Sequence, residues 1–377
     1  MIDPAIAFIG FGEAGSLLGG ALAARNIRVT MYDRQLDDAR TARAMRAKAA
    51  RAQVEAASTV AAAIRDAHWI VSAVTASSDA EVAEAVAAHI REDQTFIDIN
   101  SVSPALKQHG QQLIEAAGSR YVEAAVMAPV PPHGLAVPML LAGPSADAVA
   151  REMTALGFAA QAVSTRVGTA SAAKMCRSVM IKGIEALTVE CLSAARAYGA
   201  DALVLASLRQ TFDTFATRPD LPDYLISRVA EHGRRRAAEM REVCDTLREG
   251  GVAPEMSEAC ARVQDGFIDR MTARGLDYHA LLPFDWKAVL DRLVIGRCRH
   301  RPCTAPAAMT NGRPCGITQV RLSRQVGNSV ATARAHGDWR AAGSMPETSN
   351  ARPAVGCVGN RYRRQELTAG MHHPLRN

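Results

Sequence analysis

The sequence predicts an α/β half followed by an all-helical half, and three observations carry that prediction. Short apolar runs alternate with helical patterns from residue 5 to about residue 165. Strand signals then stop at Gly168, and a series of long helical patterns takes over, the first spanning Thr169 to Tyr198. At 377 residues the chain is long enough for two domains with separate cores, expected at 1–165 and 166–296, with a tail at 297–377.

The first run, Ala5 to Ile9, reads as a buried parallel strand and leads into Gly10-Phe11-Gly12-Glu13-Ala14-Gly15. This is G-x-G-x-x-G between a strand and the helix-like SLLGGALAARN, the arrangement of a Rossmann-type dinucleotide-binding unit. Gly10 permits the tight turn, Gly12 leaves room for a pyrophosphate against backbone N–H groups, and Gly15 lets helix and strand approach. The second run, Ile27 to Tyr32, ends in Asp33, 18 residues after Gly15, where a carboxylate meets the adenosine ribose hydroxyls. Arg34 beside it can meet the 2′-phosphate of NADP, but the carboxylate repels that phosphate. NAD is therefore the preferred cofactor and NADP a possible one.

Leu36 to Ala50 is alanine- and arginine-rich and helical; Val54 to Ala57 reads as a short strand, and Ser58 starts a brief helix to Ala67 as its cap. Trp69 to Val74 forms the next strand, running into the polar loop Thr75 to Ser78 and a helix from Asp79 to Ile90. Loops at the carboxyl ends of parallel strands line the ligand crevice, so Val74 and Thr75 are expected beside the nicotinamide half of the cofactor. Gln94 to Ile99 is a further strand, followed by Asn100, Ser101 and a helix from Ala105 to Ala117. Asn100 and Ser101 either hold a substrate carboxylate or hydroxyl or belong to the start of that helix, with Ser103-Pro104 as its first turn. YVEAAVMAPVPPHG then reads as a strand and a proline turn, VPMLLAG as a second strand in a hairpin-like extension, and Ala146 to Leu156 and Ala160 to Val163 as a last helix and strand. Beyond the long helix, further helices fit Ala202 to Thr214, Pro222 to Glu249, Pro254 to Arg274 and Phe284 to Leu293.

Charge and cysteine use limit the functions open to this chain. Of its 44 basic and 38 acidic residues, 13 and 3 lie in 297–377, which leaves 31 and 35 in the body. The sequence pI near 9.0 is thus a property of the tail, and nucleic-acid binding by the body is not supported. The tail reads as low-order. Cys298, Cys303, Cys315 and His300 have no standard zinc spacing, and no metal site is expected. Cys176, Cys191, Cys244 and Cys260 sit singly in helical patterns, as buried reduced thiols do. The nearly uncharged residues 5–24 lack a basic start and are interrupted by Glu13 and by glycines, which argues against a signal or membrane segment and for a cytoplasmic protein.

The chemistry is expected on the long helix. Gly168-Thr169-Ala170-Ser171-Ala172-Ala173-Lys174 opens it with small residues, and Lys174, Ser178, Lys182 and Glu185 form one polar stripe, with Met175, Val179 and Ile184 off it. Small residues let another element approach closely, as the wall of a cleft requires. Moving hydride between nicotinamide and a carbinol carbon needs a group to take or give the hydroxyl proton, and a partly desolvated lysine can do this near neutral pH.

With GFGEAG, DINSVSP and the glycine-to-lysine segment at 168–174, positions 5 to 295 resemble the β-hydroxyacid dehydrogenase family, which includes 3-hydroxyisobutyrate and 6-phosphogluconate dehydrogenases. The resemblance is strongest to a branch with AAVMAPVPP and KMCRSVMIKGIEAL. It implies Lys174 as the catalytic lysine, Ser101 and Asn100 as substrate-binding residues, and a homodimer built on the helical domain. Met127-Ala128-Pro129 stands where the family has a glycine-rich substrate loop, and Ser178 where it has an asparagine; both alter the substrate pocket. The later Lys-Asp-Leu segment falls at Ala238-Glu239-Met240, with Arg236 as the substitute for its lysine near the cofactor. The expected activity is hydride transfer between a nicotinamide cofactor and a small hydroxy acid or related carbonyl compound. Its alternatives are an imine or aldehyde reductase on the same scaffold and a non-catalytic nucleotide-binding sensor.

Overall fold

Strands buried on both faces read as continuous apolar runs, and the runs of the first half are of this kind. In β1 (Ile6–Ile9), Ile6 and Phe8 face one core with Leu18, Val29, Met31 and Val71, while Ala7 and Ile9 face a second with Ile70, Phe96, Ile114 and Tyr121. A computed structural model describes residues 5–293; the expectations for 297–377, including the reading of Cys298, Cys303, Cys315 and His300, lie outside them.

The other strands are β2 (Val29–Tyr32), β3 (Glu55–Ala56), β4 (Trp69–Ser72), β5 (Thr95–Asp98), β6 (Arg120–Val126), β7 (Pro138–Ala142) and β8 (Ala159–Ser164), in one sheet ordered β3-β2-β1-β4-β5-β6-β7-β8. Neighbours are parallel except β6 and β7, whose antiparallel pairing follows from the proline turn between them. Strand order reverses between β1 and β4, so a ligand crevice opens outside their carboxyl ends. The loops after β1, β2, β4, β5 and β6 all emerge on that edge. This is a Rossmann-type α/β half.

Helices α1 (Glu13–Ala23), α2 (Ala39–Arg51), α3 (Val60–Ile64), α4 (Asp79–Ala87), α5 (Pro104–Ala116), the short α6 (Val130–His133) and α7 (Ala146–Ala155) connect the strands. Side-chain caps fix the starts of α2, α3 and α5, which shifts two of the expected boundaries. Asp38 caps α2 by accepting from the Arg40 N–H at 2.9 Å, so residues 34–36 form a separate tight turn instead of the first turn of the helix. Thr59, not Ser58, caps α3, accepting from the Ala62 N–H at 3.1 Å. Ser103 caps α5 with Pro104 in its first turn, where a missing N–H does no harm.

The helical half comprises α8 (Thr169–Ala197), α9 (Asp201–Thr217), α10 (Leu221–Glu249), α11 (Glu255–Ala273) and α12 (Trp286–Leu293). Ala230, Phe267, Met271, Leu281, Val289 and Leu293 join α10, α11 and α12 around a small core. Glu190 on α8 is buried and accepts from the Met256 and Ser257 N–H groups, so it supplies the acceptor that the first turn of α11 lacks. By contrast, α9 buries none of its 17 residues, and Val179 (73% exposed) and Leu203 (76%) leave an apolar face of α8 and α9 uncovered. The cysteine expectation needs correcting for the same reason. Cys244 is buried, but Cys176 lies on an uncovered part of α8 and is exposed, and Cys191 and Cys260 are half-buried. Among the described residues, no helix is long and apolar enough to cross a membrane.

Candidate functional site

The glycine loop follows β1 on the crevice edge. Gly10 sits at φ +91°, in the left-handed region, and a Cβ there would lie 2.5 Å from the Ala73 carbonyl oxygen. A Cβ on Gly15 would lie 2.3 Å from the Gly10 carbonyl oxygen, so the close packing of helix on strand excludes any side chain. Gly12 is different: nothing lies within 4 Å of where its Cβ would be, and α1 begins there without a side-chain cap. Open space over uncapped N–H groups, at the positive end of a helix dipole, fits a dinucleotide pyrophosphate. Phe11 is fully buried, whereas Glu13 and Ala14 lie in the first turn of α1.

Asp33, at the end of β2, is 8% exposed. It accepts from the Phe11 N–H at 2.8 Å and the Gln35 N–H at 3.0 Å, so it braces the glycine loop while keeping lone pairs free on both oxygens. Arg34 is exposed next to it. A second cation, Lys48, comes from α2: its ammonium donates to the Phe11 and Gly12 carbonyls at 2.6 and 2.7 Å and stands 5.7 Å from the Phe11 ring centroid. Sequence reasoning missed this residue, although it is the single lysine in the arginine-rich ARTARAMRAKAAR.

Val74 and Thr75 follow β4 on the same edge, half-buried and exposed respectively. Their loop is fixed by Asn100, whose amide oxygen accepts from the Val74 N–H at 2.6 Å. The Asn100 amide nitrogen donates to Ser72 Oγ at 2.8 Å and to Asp79 Oδ1 at 2.7 Å. Asn100 is buried with both amide hydrogens committed within the protein, and through its amide oxygen it holds the loop after β4. Its neighbour Ser101 is exposed and meets the predicted lysine, with Lys174 Nζ donating to Ser101 Oγ at 2.6 Å.

That contact depends on how α8 is seated. Glu123 of β6 is fully buried and accepts from the Gly168 and Ser171 N–H groups, the latter at 2.8 Å, placing a carboxylate at the N-terminus of a 29-residue helix with no acid in its own first turn. Ala170 and Ser171 are buried against the sheet half, as the run of small residues suggested. Burial lowers the pKa of Lys174, and the positive charges of Lys107 and Lys182 lower it further. Ser178, one turn on, is half-buried. Met127, after β6, is half-buried too, and its carbonyl accepts from Arg177 of α8 at 3.4 Å. Lys174, Ser101, Val74 and the glycine loop thus share the crevice edge. Arg236 lies in the middle of α10, a helix packed on α11 and α12, and no hydrogen bond among the described residues ties it to that edge. Among the described residues, no cluster of three or more His, Cys, Asp and Glu side chains could hold a metal ion.

Residues 5–168 match the NAD-binding domain of 6-phosphogluconate dehydrogenase, and residues 195–266 match a domain of unknown function. A conserved hypothetical protein from Sinorhizobium meliloti 1021 is 38% identical, over 78% of this chain and 96% of that one, with a TM-score of 0.51. The chain belongs to the 6-phosphogluconate dehydrogenase-like family in which these two domains are joined. A conserved protein of unknown function, described as structurally similar to 3-hydroxyacid dehydrogenases, is 30% identical over 70% of this chain and 96% of its own length, with a TM-score of 0.47. An imine reductase from Aspergillus terreus, in complex with NADPH4 and dibenz[c,e]azepine, shares the fold at 18% identity over 76% of this chain and all of its own, with a TM-score of 0.57. The N-terminal half of this 6-phosphogluconate dehydrogenase-like chain is accordingly an NAD(P)-binding domain, and the family is of dehydrogenase and reductase type.

Proposed function

We propose that the protein is an NAD(P)-dependent oxidoreductase acting on a small hydroxy acid or related carbonyl compound, with Lys174 as the general acid/base. The observation that carries this reading is the 2.6 Å contact between Lys174 Nζ and Ser101 Oγ, made across the junction of the two halves on the edge that bears the glycine loop. Residues 10–15, Asp33, Arg34, Val74 and Thr75 would hold the cofactor, which supplies the hydride chemistry when bound. Asp33 disfavours a 2′-phosphate, which supports NAD over NADP.

Within this scheme Ser101 and Lys174 orient the substrate oxygen, and Lys174 takes the hydroxyl proton on oxidation or returns it on reduction. Its lowered pKa enlarges the neutral, proton-accepting fraction near neutral pH. Ser178 and Met127 border the substrate, and the division at 165/166 separates cofactor and substrate domains. The uncovered face of α8 and α9 supports a homodimer. A second reading, reduction of an imine or aldehyde, is favoured by the fold shared with imine reductases. Titration with NADH and NADPH, followed by a panel of hydroxy acids, carbonyls and imines, tests both. Binding with turnover of hydroxy acids supports the first reading, turnover of imines or aldehydes alone the second, and binding without any turnover would leave a nucleotide sensor.

A further inference from the structure

The crevice edge rests on a charged network that lies entirely inside the sheet half. Asp79, Asp98, Asn100, Lys107 and Tyr121 are each at most 5% exposed. Lys107 Nζ lies 2.7 Å from Asp98 Oδ1 and 3.0 Å from the Asp98 carbonyl oxygen. The Tyr121 hydroxyl donates to Asp98 Oδ2 at 2.7 Å, and the Asn100 N–H donates to Asp98 Oδ1 at 2.9 Å. Two carboxylates and one ammonium leave a net negative charge in a place where uncompensated charge is costly, so stability alone is a poor reason for it.

The network ends on two ligand-facing loops. Asn100 holds the Val74 N–H, and the Val74 side chain in turn abuts the glycine loop, since a Cβ on Gly10 would lie 2.6 Å from Val74 Cγ1. The residue after Asn100 is Ser101, the partner of Lys174. The Asn100 amide is therefore one pin for the cofactor loop and the substrate loop, and Asp79 holds that amide at 2.7 Å. We propose that Asp79 is a positioning residue for the nicotinamide end of the cofactor, acting through Asn100 on Val74 and Ser101. This rests on the oxidoreductase reading.

The same carboxylate gives the site a pH signature. Burial and the neighbouring Asp98 charge push the Asp79 carboxyl up to about 6. The charged and titratable groups around it are Asp98 on β5, Lys107 on α5 and Tyr121 on β6, while α3 and residues 76–78, also packed on α4, carry none. As pH rises through this value a negative charge appears beneath the crevice, and it favours a cationic nicotinamide ring over a neutral one.

The test is fluorescence titration of the full chain with NADH, and competition by NAD⁺, from pH 5 to 8 for wild type, Asp79→Ala and Asp79→Asn. Asp79→Ala weakens NADH binding at pH 8 by at least about tenfold, on the order of 1.4 kcal/mol. Asp79→Asn, whose amide oxygen can still accept from Asn100, recovers most of that loss. In wild type the preference for NAD⁺ over NADH increases through about pH 6, and in Asp79→Asn it is flat. Unchanged affinity in Asp79→Ala, or an equal pH response in Asp79→Asn, would overturn the proposal; should Asp79→Ala fail to fold, the pH response of Asp79→Asn decides alone. A wild type that binds neither NADH nor NAD⁺ would overturn this inference, and one that also fails to bind NADPH would overturn the oxidoreductase reading with it.

Discussion

Replacing Glu123 tests whether the seating of α8 on the sheet is what brings Lys174 to the crevice. Its carboxylate accepts from the N–H groups of both Gly168 and Ser171 and is fully buried, so Glu123→Ala leaves two backbone donors unpaired in the interior. Each hydrogen bond to a charged acceptor contributes about 1.5–3 kcal/mol, so their combined loss is about 3–6 kcal/mol, a large part of the 5–15 kcal/mol by which a domain is usually stable. Glu123→Gln keeps one acceptor oxygen and turns an amide nitrogen toward the other N–H, for a loss of about half as much. Urea denaturation followed by circular dichroism measures both variants. The expected order is wild type, then Glu123→Gln, then Glu123→Ala. A loss below about 1 kcal/mol for Glu123→Ala would refute this seating, because it would mean that the start of α8 does not depend on the carboxylate.

The same geometry sets four further expectations. Gly12→Ala should fold with an unchanged melting temperature, because open space surrounds the new methyl group, yet bind NADH at least about tenfold more weakly; equal affinity would remove the pyrophosphate from this loop. Lys182→Met removes a positive charge that lowers the Lys174 pKa, so the pH profile of turnover should move to higher pH, and an unmoved profile would separate Lys174 from the titrating group. The raised carboxyl of Asp79 makes the folded state hold a proton that the unfolded chain releases. Its contribution to stability is therefore full below about pH 4 and is lost as pH rises toward 6, and Asp79→Asn should gain on wild type across that range in pH-dependent unfolding. Val179→Asp with Leu203→Asp should reduce the mass measured by light scattering from dimer to monomer, whereas an already monomeric wild type would refute the homodimer.

How much of this was legible in the sequence depends on how local each signal is. The glycine loop, Asp33 and the small residues before Lys174 lie in contiguous stretches whose residue types are fixed by backbone geometry, and they read correctly as structure. The bracing role of Asn100 was not legible because its partners Ser72, Val74 and Asp79 are 21 to 28 residues away, a separation at which sequence periodicity carries no information. Glu123 and Lys107 were missed for a related reason, since a charge on an element face reads as solvated. Their setting was the one signal to be had, a lone acid in YVEAAVM and a lone lysine between Leu106 and the glutamine of PALKQHG. The uncovered face of α8 and α9 shows the opposite failure, where amphipathic periodicity indicates an apolar stripe but not what covers it.

The role of Lys174 is tested most directly by turnover of wild type and Lys174→Met side by side, with the preferred cofactor and a substrate found by the panel, together with the cofactor dissociation constant of each. Cofactor affinity should be unchanged and turnover reduced at least about 100-fold in Lys174→Met. Turnover within about tenfold of wild type would contradict the assignment, because a general acid/base is expected to contribute more than that.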